Sequence, residues 1–491
     1  MSWPLQHLRL AARPVRSWNS SIRYLKCGTA RRNGTISAAD LKFGQPVYET
    51  HPHILGPGEV TPGISALEYA QRRDSLARLL PQNSVAIIPA ADIKYRSGAV
   101  FYEFHQDPDF FYLTGFNEPE AVAVIANRSS EPVFHLFVRP NNPRSELWEG
   151  ARSGVQAALD VFNADEASDI GKIEGELPEI LNGAEKIFTD LPRSFQTSSQ
   201  FARYLSGMPL RASNGIAKAF NESTGVVEPL RPLLNQLRAR KSEAEIVNMR
   251  KAGQISGRAI TDAMRRSFSK EKDLAAFLDY QFKINGCDGP AYVPVIAAGQ
   301  NALSIHYVRN NDVIRPDDMI LVDAGGEYGG YIADITRTWP SSGQFSTAQE
   351  DLYTAILTVQ RQCVSLCRED AQTTLDKLHR MAETGLKESL KQLGFDMTGG
   401  ALETLFPHHL SHYIGLDVHD SPGYPRTETL LSGHCVTIEP GIYVPDDERW
   451  PKAFRGMGIR IEDSVCVRET SPLVFTTEAV KEVVDIEALR H

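Results

Sequence analysis

Apolar and polar positions fall along this chain in short blocks whose period changes from one block to the next. Val85 to Pro89, Ala121 to Ile125 and Val133 to Val138 are apolar runs bounded by polar turns, which reads as strand. Phe110 to Thr114 reads as a further strand from its aromatic content. Ser65 to Leu80, Ala151 to Phe162 and Leu177 to Leu181 carry helical spacing. Farther on, Ser242 followed by Glu245 forms a capping box, and Ile246, Met249 and Ala252 begin the apolar face of the helix it opens. Thr347 with Glu350 opens another capped helix. Tyr292 to Ala298, Met319 to Val322, Ile332 to Thr336, His434 to Ile438 and Ile459 to Val467 read as strands. Helices and strands in blocks, without strict alternation, predict the α+β class, with an α/β domain at the N-terminal side. Pro229, Pro232 and the basic run Arg238, Arg240 and Lys241 mark a boundary near residue 235. The division expected is a leader over 1–39, an N-terminal domain over 40–235 and a C-terminal domain over 236–491. Residues 40–64, rich in Pro, Gly and His, read as an extended arm at the start of the first domain.

Charge sharpens this division. The 491 residues carry a formal charge of −9, which argues against nucleic acid as a partner. No run approaches the ~18 apolar residues of a membrane span. Before Asp40 there is no acid, while Arg9, Arg13, Arg16, Arg23, Lys26, Arg31 and Arg32 supply seven positive charges, so the rest of the chain carries −16. Arg9, Arg13 and Arg16 share one helical face and Leu5, Leu8, Ala12 and Val15 another, although Pro14 interrupts. That is the pattern of a mitochondrial or plastid transit peptide; a disordered basic tail is the alternative. The six cysteines form no disulfide framework: Cys27 lies in the leader, Cys363 and Cys367 continue the apolar stripe of Leu352, Ile356 and Val359, and Cys287, Cys435 and Cys466 are scattered.

The chemistry gathers around Asp318 to Pro340, DMILVDAGGEYGGYIADITRTWP. An apolar run stops at Asp323, two glycine pairs follow, and a second run carries Asp334 at its middle. Paired as a hairpin, the two acids sit on neighbouring strands and point to one face, where they repel unless a cation lies between them. Glu439, in CVTIEPGIY, and Glu462, in GIRIEDSV, are placed in the same way on apolar strands. Any one of these could be a salt-bridged core acid, with Arg337 or a backbone amide as the partner for Asp334. Four together are hard to explain as structure, since each buried charge costs several kcal/mol unless metal or well-formed pairs compensate. PHHLSHYIGLDVHD adds His408, His412 and His419, and His306 precedes the first Asp. One histidine with four carboxylates is an oxygen-rich, hard donor set, which favours manganese or a comparable divalent ion over zinc on thiolates.

The ordered set Asp323, Asp334, His412, Glu439 and Glu462 resembles the five-ligand pattern of the pita-bread metallopeptidases, the group of methionine aminopeptidase, prolidase and aminopeptidase P. HHLSHYIGLDVHD, TIEPGIY and GIRIEDSV resemble the aminopeptidase P branch, and DFFYLTGFNEPEAVAVI resembles that branch's N-terminal domain. FGQPVYETHPHILGPGEVTPGISALEYAQRR is similar to its mitochondrial members, the Xaa-Pro aminopeptidases and intermediate-cleaving peptidases. The resemblance spans about residues 43–485.

That resemblance implies a pita-bread catalytic domain over 236–491 and two divalent ions, most simply Mn2+. Asp334 and Glu462 would bridge the ions, Asp323 would hold one, and His412 and Glu439 the other. A shared water would become a hydroxide nucleophile, with Glu439 taking its proton and passing one to the leaving amine. His306 and His419 would steady the scissile carbonyl. Tyr292, His408, His419 and Arg460 would contact substrate, although Arg460 has the plainer alternative of pairing with a nearby acid. The implied activity is removal of one residue from peptide or protein N-termini. In the mitochondrion, in the matrix or against the inner membrane, it would trim imported proteins after presequence cleavage. Cleavage of Xaa-Pro peptides or of dipeptides as by prolidase is the enzymatic alternative. A non-enzymatic pita-bread binding module is another, from a different class. A homodimer or higher homo-oligomer is expected, with the aromatics Phe110 to Tyr112 reaching a neighbouring subunit's pocket.

Overall fold

The computed structural model describes residues 42–128, 131–191, 216, 219–220 and 223–490. The expected leader and Cys27 lie outside the described residues. The first half is built on one mixed sheet of six strands. Its spatial order is Val226–Glu228, Lys186–Phe188, Ser84–Pro89, Val122–Asn127, Val133–Val138 and Glu166–Asp169. The two central pairings, Ser84–Pro89 to Val122–Asn127 to Val133–Val138, are antiparallel; the outer ones are parallel. Helix α1 (Ala66–Leu79) starts at Ser65, whose side chain accepts from the Glu68 amide. It buries Tyr69, Leu76 and Ala77.

Phe110 to Thr114 corrects the strand expectation. These residues belong to helix α2 (Pro108–Thr114). Asp107 Oδ1 accepts the Phe110 amide at 2.9 Å, Pro108 fills the first turn, and Gly115 ends the helix in the left-handed region at φ 63°. N-cap, proline and C-terminal glycine outvote aromatic strand propensity. The same helix overturns the aromatic reach: Phe110, Phe111 and Tyr112 are buried at 0%, 8% and 6% exposure in this chain's own core.

Helix α3 (Arg231–Ala239) leads into helix α4 (Glu243–Met264), which opens with the expected reciprocal capping box of Ser242 and Glu245. Helix α5 (Glu271–Ile284) follows. Then comes a three-stranded sheet of β1 (Val295–Ala298), β2 (Met319–Asp323) and β3 (Thr336–Pro340), with β2 in the centre. Helix α6 (Thr347–Ser365) is capped one residue earlier than expected, by Ser346 with Gln349. Helix α7 (Leu375–Gln392) packs beside it, and the two bury Leu352, Ile356, Val359, Leu378 and Leu386. Two further antiparallel pairs complete the site's frame: β4 (Cys435–Ile438) with β7 (Asp463–Cys466), and β5 (Gly441–Tyr443) with β6 (Gly458–Arg460).

The five cysteines among the described residues are buried free thiols, with Cys363 and Cys367 in the helical core as expected. Cys435 and Cys466 face each other across β4 and β7. No helix among the described residues is long and apolar enough to cross a membrane.

Candidate active site

The acids stand where ladders break. Tyr331–Ile332 and Thr336–Pro340 are separate strands, so Asp334 lies in the gap between them and not at the middle of one strand. Asp323 pairs with Thr336, and Glu327 with Ile332; the same register carried inward sets Asp334 opposite Gly325. The two Asp side chains are thus diagonal neighbours on one face. Gly325 has no alternative there, since a Cβ would lie 1.8 Å from the Ala333 carbonyl oxygen. Asp334 is held by its own backbone: its amide donates to Ser464 Oγ at 3.1 Å, and that hydroxyl donates to the Asp334 carbonyl at 2.7 Å. In the second hairpin, Ile438 pairs with Asp463 and Gly441 with Arg460, so Glu439 falls opposite Glu462 in another gap. The Glu462 amide donates to the Thr336 carbonyl at 3.0 Å, which joins the two hairpins back to back.

All five expected ligands meet. His412 Nε2 lies 3.5 Å from Asp334 Oδ2 and 3.4 Å from Glu439 Oε1. Donor atoms of Asp334, His412 and Glu462 lie within 4.8 Å of one another. Tyr292 Oη is 2.7 Å from Asp323 Oδ1 and 2.5 Å from Asp334 Oδ1. A hydroxyl has one hydrogen to give, so one of those two Oδ1 atoms meets the phenol oxygen without a hydrogen from it.

Electrostatics repeats the point. Burial, then Asp334, pushes Asp323 up to about 6. Burial, with the charges of Asp334 and Asp323, pushes Glu439 up to about 7 against the pull of His412 and Arg460. Glu462 is driven well above the carboxylate range by burial, then by Asp334, Glu439 and Asp323. Burial also works against charge on Asp334 and His412, yet their pairing wins: Asp334 is held below its usual range and His412 rises to about 9. The His412 Nδ1–H donates to the Tyr413 carbonyl at 3.0 Å, so Nε2 is the nitrogen that faces the carboxylates, and it would offer a lone pair to a cation on losing its proton. Glu462 Oε2 accepts from Thr336 Oγ1 at 2.6 Å, while its buried Oε1 has no hydrogen-bond partner among the described residues. Four crowded carboxylates, one of them with an oxygen that finds no hydrogen bond among the described residues, and one imidazole whose Nε2 faces them fit hard divalent cations.

The other candidates divide. His419 stacks edge-on against His412 with ring centroids 4.4 Å apart, and it is exposed toward solvent, as is His306. Arg460 is buried and forms the ion pair that was its plainer alternative, from Nη2 to Asp323 Oδ2 at 2.7 Å. Its Nη1 donates to Tyr443 Oη at 2.7 Å, and that hydroxyl reaches His408 Nε2 at 2.9 Å. His408 Nδ1–H is spent on the His409 carbonyl, and burial drops the ring to about 4, so it is neutral. Arg337 does not pair with Asp334; it turns away to Asp463 at 2.7 Å. Tyr443, Thr336 and Ser464 were not singled out in the sequence as site residues, though each lies within or beside a motif that was.

A site of this kind on two ladder-broken hairpins, behind an N-terminal mixed-sheet half, defines a class. The chain matches metallopeptidase family M24 over residues 247–469 and the aminopeptidase P N-terminal domain over residues 69–188. It belongs to that family, has the pita-bread fold with an aminopeptidase P-type N-terminal domain, and is a metallo-aminopeptidase. Among its relatives, intermediate cleaving peptidase 55 of Saccharomyces cerevisiae is 44% identical over 451 residues, covering 91% of this chain and 88% of the relative. Human Xaa-Pro aminopeptidase 3 is 37% identical over 470 residues, covering 91% and 90%. The crystal structure of the S. cerevisiae Icp55 lacking its N-terminal 58 residues superposes with a TM-score of 0.80 at 42% identity, covering 88% of this chain and 99% of that one. Zinc-substituted E. coli aminopeptidase P in complex with product gives 0.80 at 32% identity, covering 87% and 98%.

Proposed function

We propose that this metallo-aminopeptidase removes a single residue from the N-termini of imported mitochondrial proteins once their presequences have been cut away. The observation that carries the reading is the cluster of Asp334, His412 and Glu462, with Glu439 against His412 and Asp323 sharing the Tyr292 hydroxyl with Asp334. The relatives named as intermediate cleaving peptidases, from yeasts and, as a mitochondrial form, from Arabidopsis thaliana, direct it to that substrate.

In this reading Asp323, Asp334, His412, Glu439 and Glu462 would hold two divalent ions, with Mn2+ the best match to the oxygen-rich set. Ions held there lower the pKa of a bound water and polarise a carbonyl. Glu439 would take the proton of that water and pass one to the departing amine. His306 and His419 face the carbonyl oxygen from the solvent side. Arg460, Tyr443, His408 and Tyr292 fix the pocket, and Arg460 and Tyr292 also order the metal-binding acids. The division near residue 235, a cleaved leader over 1–39, residence in the matrix or on the inner membrane, and a homodimer belong to the same proposal.

Cleavage of Xaa-Pro peptides is the second reading, favoured by 37% identity to the human and mouse Xaa-Pro aminopeptidases 3. Sequencing mitochondrial protein N-termini with and without this chain tests the first reading. One extra residue retained on many processed proteins is expected in its absence. Unchanged N-termini, with brisk release from Xaa-Pro peptides by the pure enzyme, would favour the second.

A further inference from the structure

We propose that Arg238, on the helix joining the two halves, is a positioning residue that sets His419 for the reaction. This rests on the reading of His419 as a residue facing the scissile carbonyl. His412 and His419 lie on one loop, and that loop is fastened from outside the metal site. Arg238 Nη2 donates to Asp417 Oδ2 at 2.8 Å and also to Asp420 Oδ1. One guanidinium nitrogen therefore spans the chain from two residues before His419 to one residue after it. Nη1 of the same group donates to Asp109 Oδ1, in helix α2 of the N-terminal half, at 2.5 Å.

The fastening is buried and built for one geometry. Arg238 is 3% exposed and Asp420 4%. Lys241 Nζ holds the second Asp420 oxygen at 2.6 Å, so neither oxygen is free to swing. The Asp420 amide donates to the Tyr413 carbonyl at 2.8 Å, which closes the loop on itself, and Asn235 Nδ2 holds the Pro422 carbonyl at 2.5 Å. Ser421 takes a left-handed φ of 49°, a conformation a serine keeps only when its surroundings impose it. Gly415 leaves no room for movement the other way, since a Cβ there would lie 2.5 Å from Asp420 Oδ2. The exposed His419 ring has no hydrogen-bonded tether of its own among the described contacts, so its placement comes from the backbone that Arg238 staples. Only a planar fork serves several carboxylates at fixed angles; a lysine ammonium would be drawn to one of them.

The test is a kinetic cycle on the full enzyme loaded with Mn2+, using Arg238→Lys, His419→Ala and the double variant. The expectation for Arg238→Lys is full metal content with kcat down on the order of ten- to a hundredfold. Set into His419→Ala, the same change should cost little more, because its route of action is already gone. Independent, multiplying losses would overturn the proposal, as would an unchanged kcat in Arg238→Lys or loss of metal alongside activity. An unaffected His419→Ala enzyme would overturn the reading of His419 itself, and this proposal with it. Should Arg238→Lys fail to fold, Asp417→Asn severs the outermost, half-exposed arm of the staple and is read in the same cycle with the same expectations.

Discussion

Thr336 donates its hydroxyl to Glu462 at 2.6 Å, and the other oxygen of that buried carboxylate has no hydrogen-bond partner among the described residues. A glutamine there keeps the Thr336 contact but removes a carboxyl group whose ionisation burial and three neighbouring carboxylates oppose. Glu462→Gln is therefore expected to act in opposite directions in two states. In protein stripped of divalent ions at about pH 8 it should raise the melting temperature by a few degrees. In the presence of Mn2+ it should forfeit most of the metal-induced gain. Thermal melting with chelator and with excess Mn2+ reads both, and a variant destabilised in chelator would contradict the first.

The parent protein should show the same competition as a pH effect. Asp323 and Glu439 have folded-state values of about 6 and about 7, above the 3.8 and 4.5 of free carboxyls. Raised values favour the folded state fully below the unfolded pKa, and that contribution is lost as pH rises through the folded one. Stripped protein should thus lose stability between about pH 5 and about pH 8. Metal takes the place of those protons, so the rise in melting temperature on adding Mn2+ should be larger at about pH 8 than at about pH 5. An equal or smaller rise at the higher pH would count against this account.

Glu439→Gln is expected to spare folding and remove most turnover, on the order of a hundredfold or more. His412→Ala should lower bound metal, because its Nε2 faces Asp334 and Glu439. Steady-state kinetics and elemental analysis decide both; two ions retained in His412→Ala would exclude it as a ligand.

Arg337 serves structure alone. It is fully buried, and it donates to Asp463 and to the carbonyls of Glu462, Ala479 and Val480. Truncation to Met leaves Asp463 buried with only Lys481, Gln360 and Thr476. The cost should be about 3–5 kcal/mol in urea unfolding. A loss below ~1 kcal/mol would show that the remaining partners suffice.

Gly325→Ala should fail for a backbone reason. Its Cβ would meet the Ala333 carbonyl oxygen at 1.8 Å, so the gap that presents Asp334 must open. Loss of both stability and metal content is expected, and a folded, fully loaded variant would refute the assignment.

Much of this was legible in the chain itself. The acids at the ends of apolar strands, the Ser242 capping box and the histidine cluster each carry a local signal, because burial of a charge or capping of a helix leaves its mark within a few residues. The helix at Phe110–Thr114 was legible too, in Asp107, Pro108 and Gly115, but aromatic content concealed it.

Tertiary structure decided the rest. Only the crossing of two hairpins sets Asp334 and Glu462 into ladder gaps, because the partner of each backbone amide there comes from residues over a hundred positions away. Only folding chooses Asp463 over Asp334 as the partner of Arg337, and Asp323 as the partner of Arg460. Sequence names which groups must escape water unpaired; long-range packing alone determines which opposite charge, or which cation, they find when they do.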